Sequence, residues 1–323
     1  MTNFTYKEVQ KAYQALSPLL PETPLVQSYY LGGKSQQFFF KLESMQHTKS
    51  FKIRGALNKM LSLTEEEKRR GVAAVSSGNH GVSVAYGAQL LGIDKAVIIV
   101  PETTPQSKVE KIQYFGAQVK LMGRNYDEAN ALGMAWIDES GMTFIDSCNK
   151  DPKIYGGQGT AVVEILRRNP DIDTVVVPIG GGGFATGTAV AAKAIKPDVK
   201  VIAVQTAACP AMIASYRDGV CYGEYPTEGE TVCDALVGGV GELAYAMLCD
   251  YTDQIVEVSE AAIRRAIVFL LEQEKIVAEG AGASTTALVL EHPELFAESK
   301  KIALMVSGGN IDGALLRRLL AEN

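Results

Sequence analysis

The chain has 323 residues, of which 47% are hydrophobic and 21% charged, and its formal net charge is −6. This size exceeds one small core and leads to an expectation of one to two domains. An acidic chain without a basic stripe argues against nucleic-acid and membrane-surface partners, and no apolar run approaches spanning length.

In chain order, the segment MTNFTYKEVQKAY lacks the charged-then-apolar layout of a signal peptide. Strands are predicted at 37–42, 72–76, 96–100, 118–121, 174–179, 201–205, 254–258 and 302–306. Helical periodicity falls between them at 50–62, 79–92, 105–115, 125–140, 157–169, 184–196, 260–274 and 311–321. The run Glu65-Glu66-Glu67-Lys68-Arg69-Arg70 reads as a solvated helix face. Alternation of this kind signals βαβ units and parallel sheets with right-handed crossovers. The strands are too many for one comfortable doubly wound sheet, so two α/β domains sharing a cleft are expected. Ligands in open α/β sheets bind beyond the carboxyl ends of the strands, which directs attention to the loops there.

Lys52 stands in Ser50-Phe51-Lys52-Ile53-Arg54-Gly55-Ala56, where Ser50 is a candidate N-cap and Ile53, Leu57, Met60 and Leu61 share one helical face. A cation in a first helical turn opposes the macrodipole by about 0.3–1 kcal/mol. Keeping the amine neutral, as a nucleophile or an imine, relieves that opposition. On this segment alone, a solvated surface lysine is the competing reading.

The run Gly180-Gly181-Gly182-Gly183 follows a predicted strand and opens a helix. Its amides can point at a phosphate without Cβ obstruction, although a flexible turn is the alternative. Gly180, Gly182 and Ala185 also match a dinucleotide fingerprint, but Gln205 stands where that reading wants an acidic residue for a ribose. A phosphate without an adenosine ribose fits better. Ser76-Ser77-Gly78-Asn79-His80-Gly81 gathers hydroxyls, a carboxamide and amides at another helix start, suited to a carboxylate or to plain capping. Ser307-Gly308-Gly309-Asn310 ends the last predicted strand. Cys148, Cys209, Cys221, Cys233 and Cys249 show no C-x-x-C pairing and read as free thiols in a reducing cytoplasm, without a functional message. A lysine, a phosphate cradle, a carboxylate loop and a strand-end serine together suit pyridoxal 5′-phosphate and an amino-acid substrate.

Thr23-Pro24-Leu25, Lys41-Leu42-Glu43-Ser44-Met45-Gln46, the Lys52 run and Ser76 to Gly81 occur in the order and spacing of a known family. Gly157-Gln158-Gly159-Thr160, Gly180 to Gly183, Glu279-Gly280-Ala281-Gly282-Ala283 and Ser307 to Asn310 continue the match. The chain resembles the fold-type II pyridoxal-phosphate enzymes, in the threonine dehydratase and serine racemase branch.

That resemblance implies a tryptophan synthase β-like fold of two open twisted parallel-sheet domains flanked by helices, with the active site in the cleft between them. A large cofactor domain would comprise 1–69 plus 151–323, and a small substrate-side domain 70–150. Lys52 would carry the cofactor as a Schiff base and act as the base at Cα, with Phe51 beside the ring. Asn79 would meet the ring's 3′-oxygen, Gly180, Gly181, Gly182 and Gly183 the phosphate, and Ser307 the pyridine nitrogen. Ser76, Ser77, Asn79 and His80 would surround the substrate carboxylate, with Ser77 also the catalytic candidate on the ring face opposite Lys52. Glu230 and Asp234 lie in a stretch resembling the family's divalent-cation region, a site for Mg2+ or a similar ion. Lys49 stands where the family usually has glycine, and Val237-Gly238-Gly239-Val240-Gly241 is expected to border the substrate side chain.

The implied activity is α,β-elimination of L-threonine or L-serine by a cytoplasmic homo-oligomer, a dimer or a tetramer. The alternatives are serine racemisation, elimination from a hydroxyaspartate or an ectoine-derived amino acid, β-replacement, and a non-enzymatic phosphate-ligand sensor.

Overall fold

The computed structural model describes residues 4–33 and 35–322. Its elements run in chain order as α1 (Tyr6–Leu16), β1 (Leu25–Gly32), β2 (Gln37–Leu42), α2 (Lys52–Leu61), α3 (Glu65–Arg70), β3 (Val72–Val75) and α4 (Asn79–Leu90). There follow β4 (Ala96–Val100), α5 (Gln106–Tyr114), β5 (Gln118–Leu121), α6 (Tyr126–Ser140), β6 (Thr143–Phe144), α7 (Pro152–Gln158) and α8 (Thr160–Arg168). Then come β7 (Thr174–Pro178), α9 (Gly183–Ile195), β8 (Lys200–Thr206), α10 (Ala211–Asp218), α11 (Glu242–Tyr251) and β9 (Gln254–Val258). The chain closes with α12 (Glu260–Glu272), α13 (Gly280–Glu291), β10 (Lys301–Val306) and α14 (Gly313–Ala321).

Two compact units result: 1–51 with 148–323, and 52–147. Within the second unit α2 packs on α4, with Met60 Cε against the bare Cα of Gly87.

The first unit holds a six-stranded sheet in the order β1-β2-β10-β7-β8-β9, parallel except for the antiparallel edge strand β1. Every residue of β7 is buried, as expected for a strand covered on both faces. Its core includes Phe40, Val176, Ile202, Val204, Ile263, Leu288 and Leu304. A buried ion pair joins Lys41 to Glu164, and Lys41 Nζ also donates to the Thr23 carbonyl at 2.7 Å. Thr23 Oγ1 in turn donates to Glu43 Oε1 at 2.6 Å, so the motif residues near the start serve to fix the end of β2.

The predicted helix at 157–169 is two helices, broken at Gly159. There the backbone of α9 passes so close at Gly187 that a Cβ on residue 159 would lie 2.8 Å from the Gly187 carbonyl carbon.

The second unit holds a four-stranded parallel sheet, β5-β4-β3-β6, whose core is built from Ala73, Val75, Val97, Ile99, Ala129 and Ile137. Gly133 lets α6 settle on this sheet, because a Cβ there would lie 2.9 Å from Val75 Cγ2. Among the described residues no helix is long and apolar enough to cross a membrane.

Candidate active site

In the first unit, β2, β10 and β7 are neighbouring parallel strands, so their carboxyl ends deliver three loops to one sheet edge: 43–51, 307–310 and 180–183. Gly182 adopts φ 92, a left-handed value open mainly to glycine, and it forms a side-chain-free N-cap for the 13-residue α9. First-turn amides of a helix have no intrahelical acceptor, so this start presents N–H groups and the positive dipole end to an anion.

Neighbours close the other side of the loop. A Cβ on Gly180 would lie 2.8 Å from the Ala235 carbonyl oxygen, and one on Gly183 2.6 Å from Gln158 Oε1. A Cβ on Gly181 would run into Cys148 Sγ. Gly241 N donates to the Gly181 carbonyl at 2.9 Å, so the glycine-rich 237–241 segment backs the glycine loop.

Phe51 and Ser307 belong to the same cluster. Phe51 N donates to the Ser307 carbonyl at 3.0 Å, and the Phe51 ring stacks on Phe184, the residue after the four glycines. Ser307 is buried. Ser50 departs from expectation and does not cap α2. Its backbone is drawn into an antiparallel bridge with Gly308, and its hydroxyl is fully buried with no hydrogen-bond partner.

In the second unit, half-buried Lys52 is the first residue of α2, and Ile53, Leu57 and Met60 bury the face predicted for them. Ser76, Ser77, Gly78 and Asn79 follow the carboxyl end of β3, each half-buried, with Asn79 opening α4. Gly78 N donates to Ser76 Oγ at 3.3 Å and Ser83 Oγ to the Asn79 carbonyl at 2.7 Å, which shapes the loop from within. His80 is buried, with Nε2 2.8 Å from the Ile145 carbonyl. Burial first, then the charge of Lys52, push the imidazole pKa down to about 4. At neutral pH His80 is therefore an uncharged donor that ties α4 to residue 145, and what the loop has to offer an anion is dipoles and hydroxyls rather than an imidazolium charge.

Glu230 and Asp234 are both exposed. Between them Thr231 Oγ1 and Val232 N donate to the Glu260 carboxylate at 2.6 and 2.9 Å. Among the described residues no group of three or more His, Cys, Asp or Glu side chains is arranged to hold a metal ion. Gln205, where a ribose-binding acid was sought, caps α10 by accepting from Met212 N and Ile213 N at 3.0 and 3.1 Å.

Three residues without an assigned role in the sequence reading support the site. Cys148 packs on Gly181, Tyr155 holds the Cys148 carbonyl through its hydroxyl at 2.6 Å, and Glu279 braces the Ser307 turn. Only Glu279 left a signal, its place at the head of the matched run Glu279 to Ala283.

These residues fit pyridoxal phosphate: an anion-binding helix start behind four glycines, an orphaned Ser50 hydroxyl, and a fixed aromatic ring bonded through its amide to Ser307. The family model described as pyridoxal-phosphate dependent enzyme matches residues 16–308. An L-threonine ammonia-lyase of Thermotoga maritima is 43% identical, over 98% of this chain and 78% of that protein. The catabolic L-threonine dehydratase TdcB of Escherichia coli is 39% identical, over 94% of this chain and 92% of the relative. Among solved structures, maize serine racemase superposes with a TM-score of 0.90 at 31% identity, covering 98% of this chain and 97% of that one. The two parallel-sheet units are those of fold type II, and the chain belongs to the pyridoxal-phosphate-dependent enzyme family.

Proposed function

We propose that the protein is an ammonia-lyase that converts L-threonine, and L-serine, to the 2-oxo acid and ammonia. The observation that carries this reading is identity of 43% and 39%, over 98% and 94% of the chain, to relatives named for threonine. Lys52 would hold the cofactor covalently and then take the Cα proton. Gly180 to Gly183 would hold the phosphate, Asn79 the 3′-oxygen and Ser307 the ring nitrogen. Ser76, Ser77 and Asn79 would take the substrate carboxylate, with His80 fixing that loop as a neutral donor. When bound, the cofactor supplies the electron sink that acidifies the Cα hydrogen.

A serine hydroxyl at 307 does not keep the ring nitrogen charged as a carboxylate would. With Ser307 there, negative charge at Cα would be poorly sustained, and prompt loss of the β-hydroxyl would be the favoured exit. The β-hydroxyl departs with a proton as water, and the released enamine tautomerises and takes up one water to give the 2-oxo acid and ammonia. A secondary serine racemase activity is the second reading, favoured by the superposition on maize serine racemase and by Ser77 in the 76–80 loop. A small domain bounded near residue 70, a divalent cation at Glu230 and Asp234, a homo-oligomeric state and a cytoplasmic location belong to the same proposal. Free cysteines support the last of these.

Borohydride reduction followed by peptide mapping tests the anchor: absence of a pyridoxyl adduct on Lys52 would sink every cofactor-dependent version. Assaying β-hydroxy amino acids for 2-oxo acid and ammonia, with and without magnesium, tests the substrate and the cation. Inert threonine and serine beside an active diacid would overturn the substrate assignment.

A further inference from the structure

The turn that carries Ser307 is held from two sides within the first unit. On one side is the segment leading to Lys52. Phe51 N donates to the Ser307 carbonyl at 3.0 Å, Gly309 N to the Lys49 carbonyl at 2.9 Å, and Asn310 Nδ2 to the Thr48 carbonyl at 3.0 Å. On the other side is Glu279, the residue before α13. Its amide donates to the Gly308 carbonyl at 3.1 Å, and its Oε2 accepts from Asn310 N at 3.0 Å. Its other carboxylate oxygen occupies the space a side chain on residue 308 would need.

Glu279 is 6% exposed, and a carboxylate is buried at that level only where hydrogen bonds and favourable charge compensate it. Its place at the N-terminus of the 12-residue α13 supplies part of that compensation, and Asn310 N supplies a charge-assisted bond. The elimination chemistry gives this acid no task. Through its amide and its carboxylate together, Glu279 touches residues 308 and 310, the two positions that decide where the chain goes after Ser307. Gly308 has no side chain to hold itself in place. Without Glu279, the 48–51 segment would still hold the turn on one side, but residues 308 and 310 would lose the carboxylate that meets them on the other.

We propose that Glu279 is a positioning residue for the cofactor, setting the place of the Ser307 hydroxyl by clamping residues 308 and 310. This rests on the reading that Ser307 meets the ring nitrogen. A hydrogen bond to a ring held elsewhere weakens steeply once its donor is displaced or misaligned, so small movements of the turn act directly on cofactor binding.

The experiment is a double-mutant cycle read on binding. Apo-protein of the unmodified chain, Glu279→Ala, Glu279→Gln, Ser307→Ala and the Glu279→Ala/Ser307→Ala pair is titrated with pyridoxal phosphate. The dissociation constant, the visible absorption band of the bound cofactor and the melting temperature of the apo-protein are recorded. Glu279→Ala should raise the dissociation constant about tenfold or more and shift the band. Glu279→Gln keeps an oxygen to accept from Asn310 N and should recover most of the loss. In the Ser307→Ala background, Glu279→Ala should add less than about twofold, because the residue acts through Ser307.

Additive effects would overturn the proposal, as would a lowered melting temperature with an unchanged constant and band. An unchanged constant for Ser307→Ala alone would overturn both the Ser307 role and this proposal. Lack of a Lys52 adduct in the unmodified chain would instead strike the functional reading as a whole. If Glu279→Ala does not fold, Glu279→Asp, which withdraws the carboxylate by one methylene, carries the same comparison.

Discussion

The ring of Phe51 lies on that of Phe184 with centroids 4.0 Å apart and an angle of 15° between planes. The stack joins the 43–51 loop with the first turn of α9, so one aromatic pair ties Phe51 to the glycine loop within the first unit. Aromatic pairs contribute about 0.5–1.5 kcal/mol beyond the area they bury. Phe184→Leu should therefore lower the melting temperature of the apo-protein by about 1–2 °C per kcal/mol lost. It should also weaken pyridoxal phosphate binding, because Phe51 loses its support. Calorimetry and cofactor titration check the two effects separately, and an unchanged dissociation constant would show that the stack serves stability alone.

Gly181 is tested by adding the methyl group its surroundings exclude. An alanine Cβ would meet the Cys148 thiol and lie 3.1 Å from Cys148 Cβ. Overpacking of this kind destabilises by about 1–3 kcal/mol, and here it would be relieved by moving the loop that holds the phosphate. Gly181→Ala is expected to reduce cofactor affinity about tenfold or more, corresponding to 1.4 kcal/mol per decade. Adding Cys148→Ala removes the obstructing sulfur and should restore part of the affinity. Failure of that rescue would place the cause in the glycine's backbone rather than in the thiol.

What was legible in the sequence was local. β7, β4 and β3 are short apolar runs bounded by turns, and four successive glycines announce a cradle without reference to anything distant. β1 went unpredicted because it is a mostly exposed antiparallel edge strand without alternation, and β6 because two residues carry no period. α13 is buried on every side, so its small residues show no amphipathic stripe. The supporting residues stayed hidden for a different reason. Nothing near Cys148 in the chain says that the 180–183 loop will rest on its sulfur, and nothing near Glu279 says that residues 308 and 310 will close on it. Ser50 misled because its type suits an N-cap, while pairing with Gly308 claimed its backbone instead.

Tyr155 offers a test remote from the chemistry. Its fully buried hydroxyl donates to the Cys148 carbonyl, lies 3.1 Å from the Asn149 carbonyl, and accepts from Ala244 N at 3.2 Å. Tyr155→Phe leaves the buried Ala244 N–H without that acceptor, a loss of about 1–3 kcal/mol. Chemical denaturation should show a lower midpoint at an unchanged slope, the signature of altered stability rather than altered compactness. Cofactor affinity should fall too, because residue 148 is the partner of Gly181.

His80 gives the protein a stability term that depends on acidity. Its folded pKa is depressed to about 4 from an ordinary value of 6.5. Between these values the unfolded chain binds a proton that the folded chain does not, so stability rises with pH across that window. The term is fully present above 6.5, is lost progressively as pH falls toward 4, and changes no further below that. A shift of this size corresponds to about 3 kcal/mol at the upper end of the window. His80→Gln cannot titrate and keeps a side-chain amide able to donate to the Ile145 carbonyl. The difference in unfolding free energy between the unmodified chain and this variant should therefore narrow steadily from pH 6.5 to pH 4. A difference that stays constant over that range would mean that His80 is protonated at its ordinary pKa in the folded protein. The 76–80 loop would then meet the substrate with a positive charge, and its recognition of a carboxylate would strengthen as the pH is lowered through 6.5.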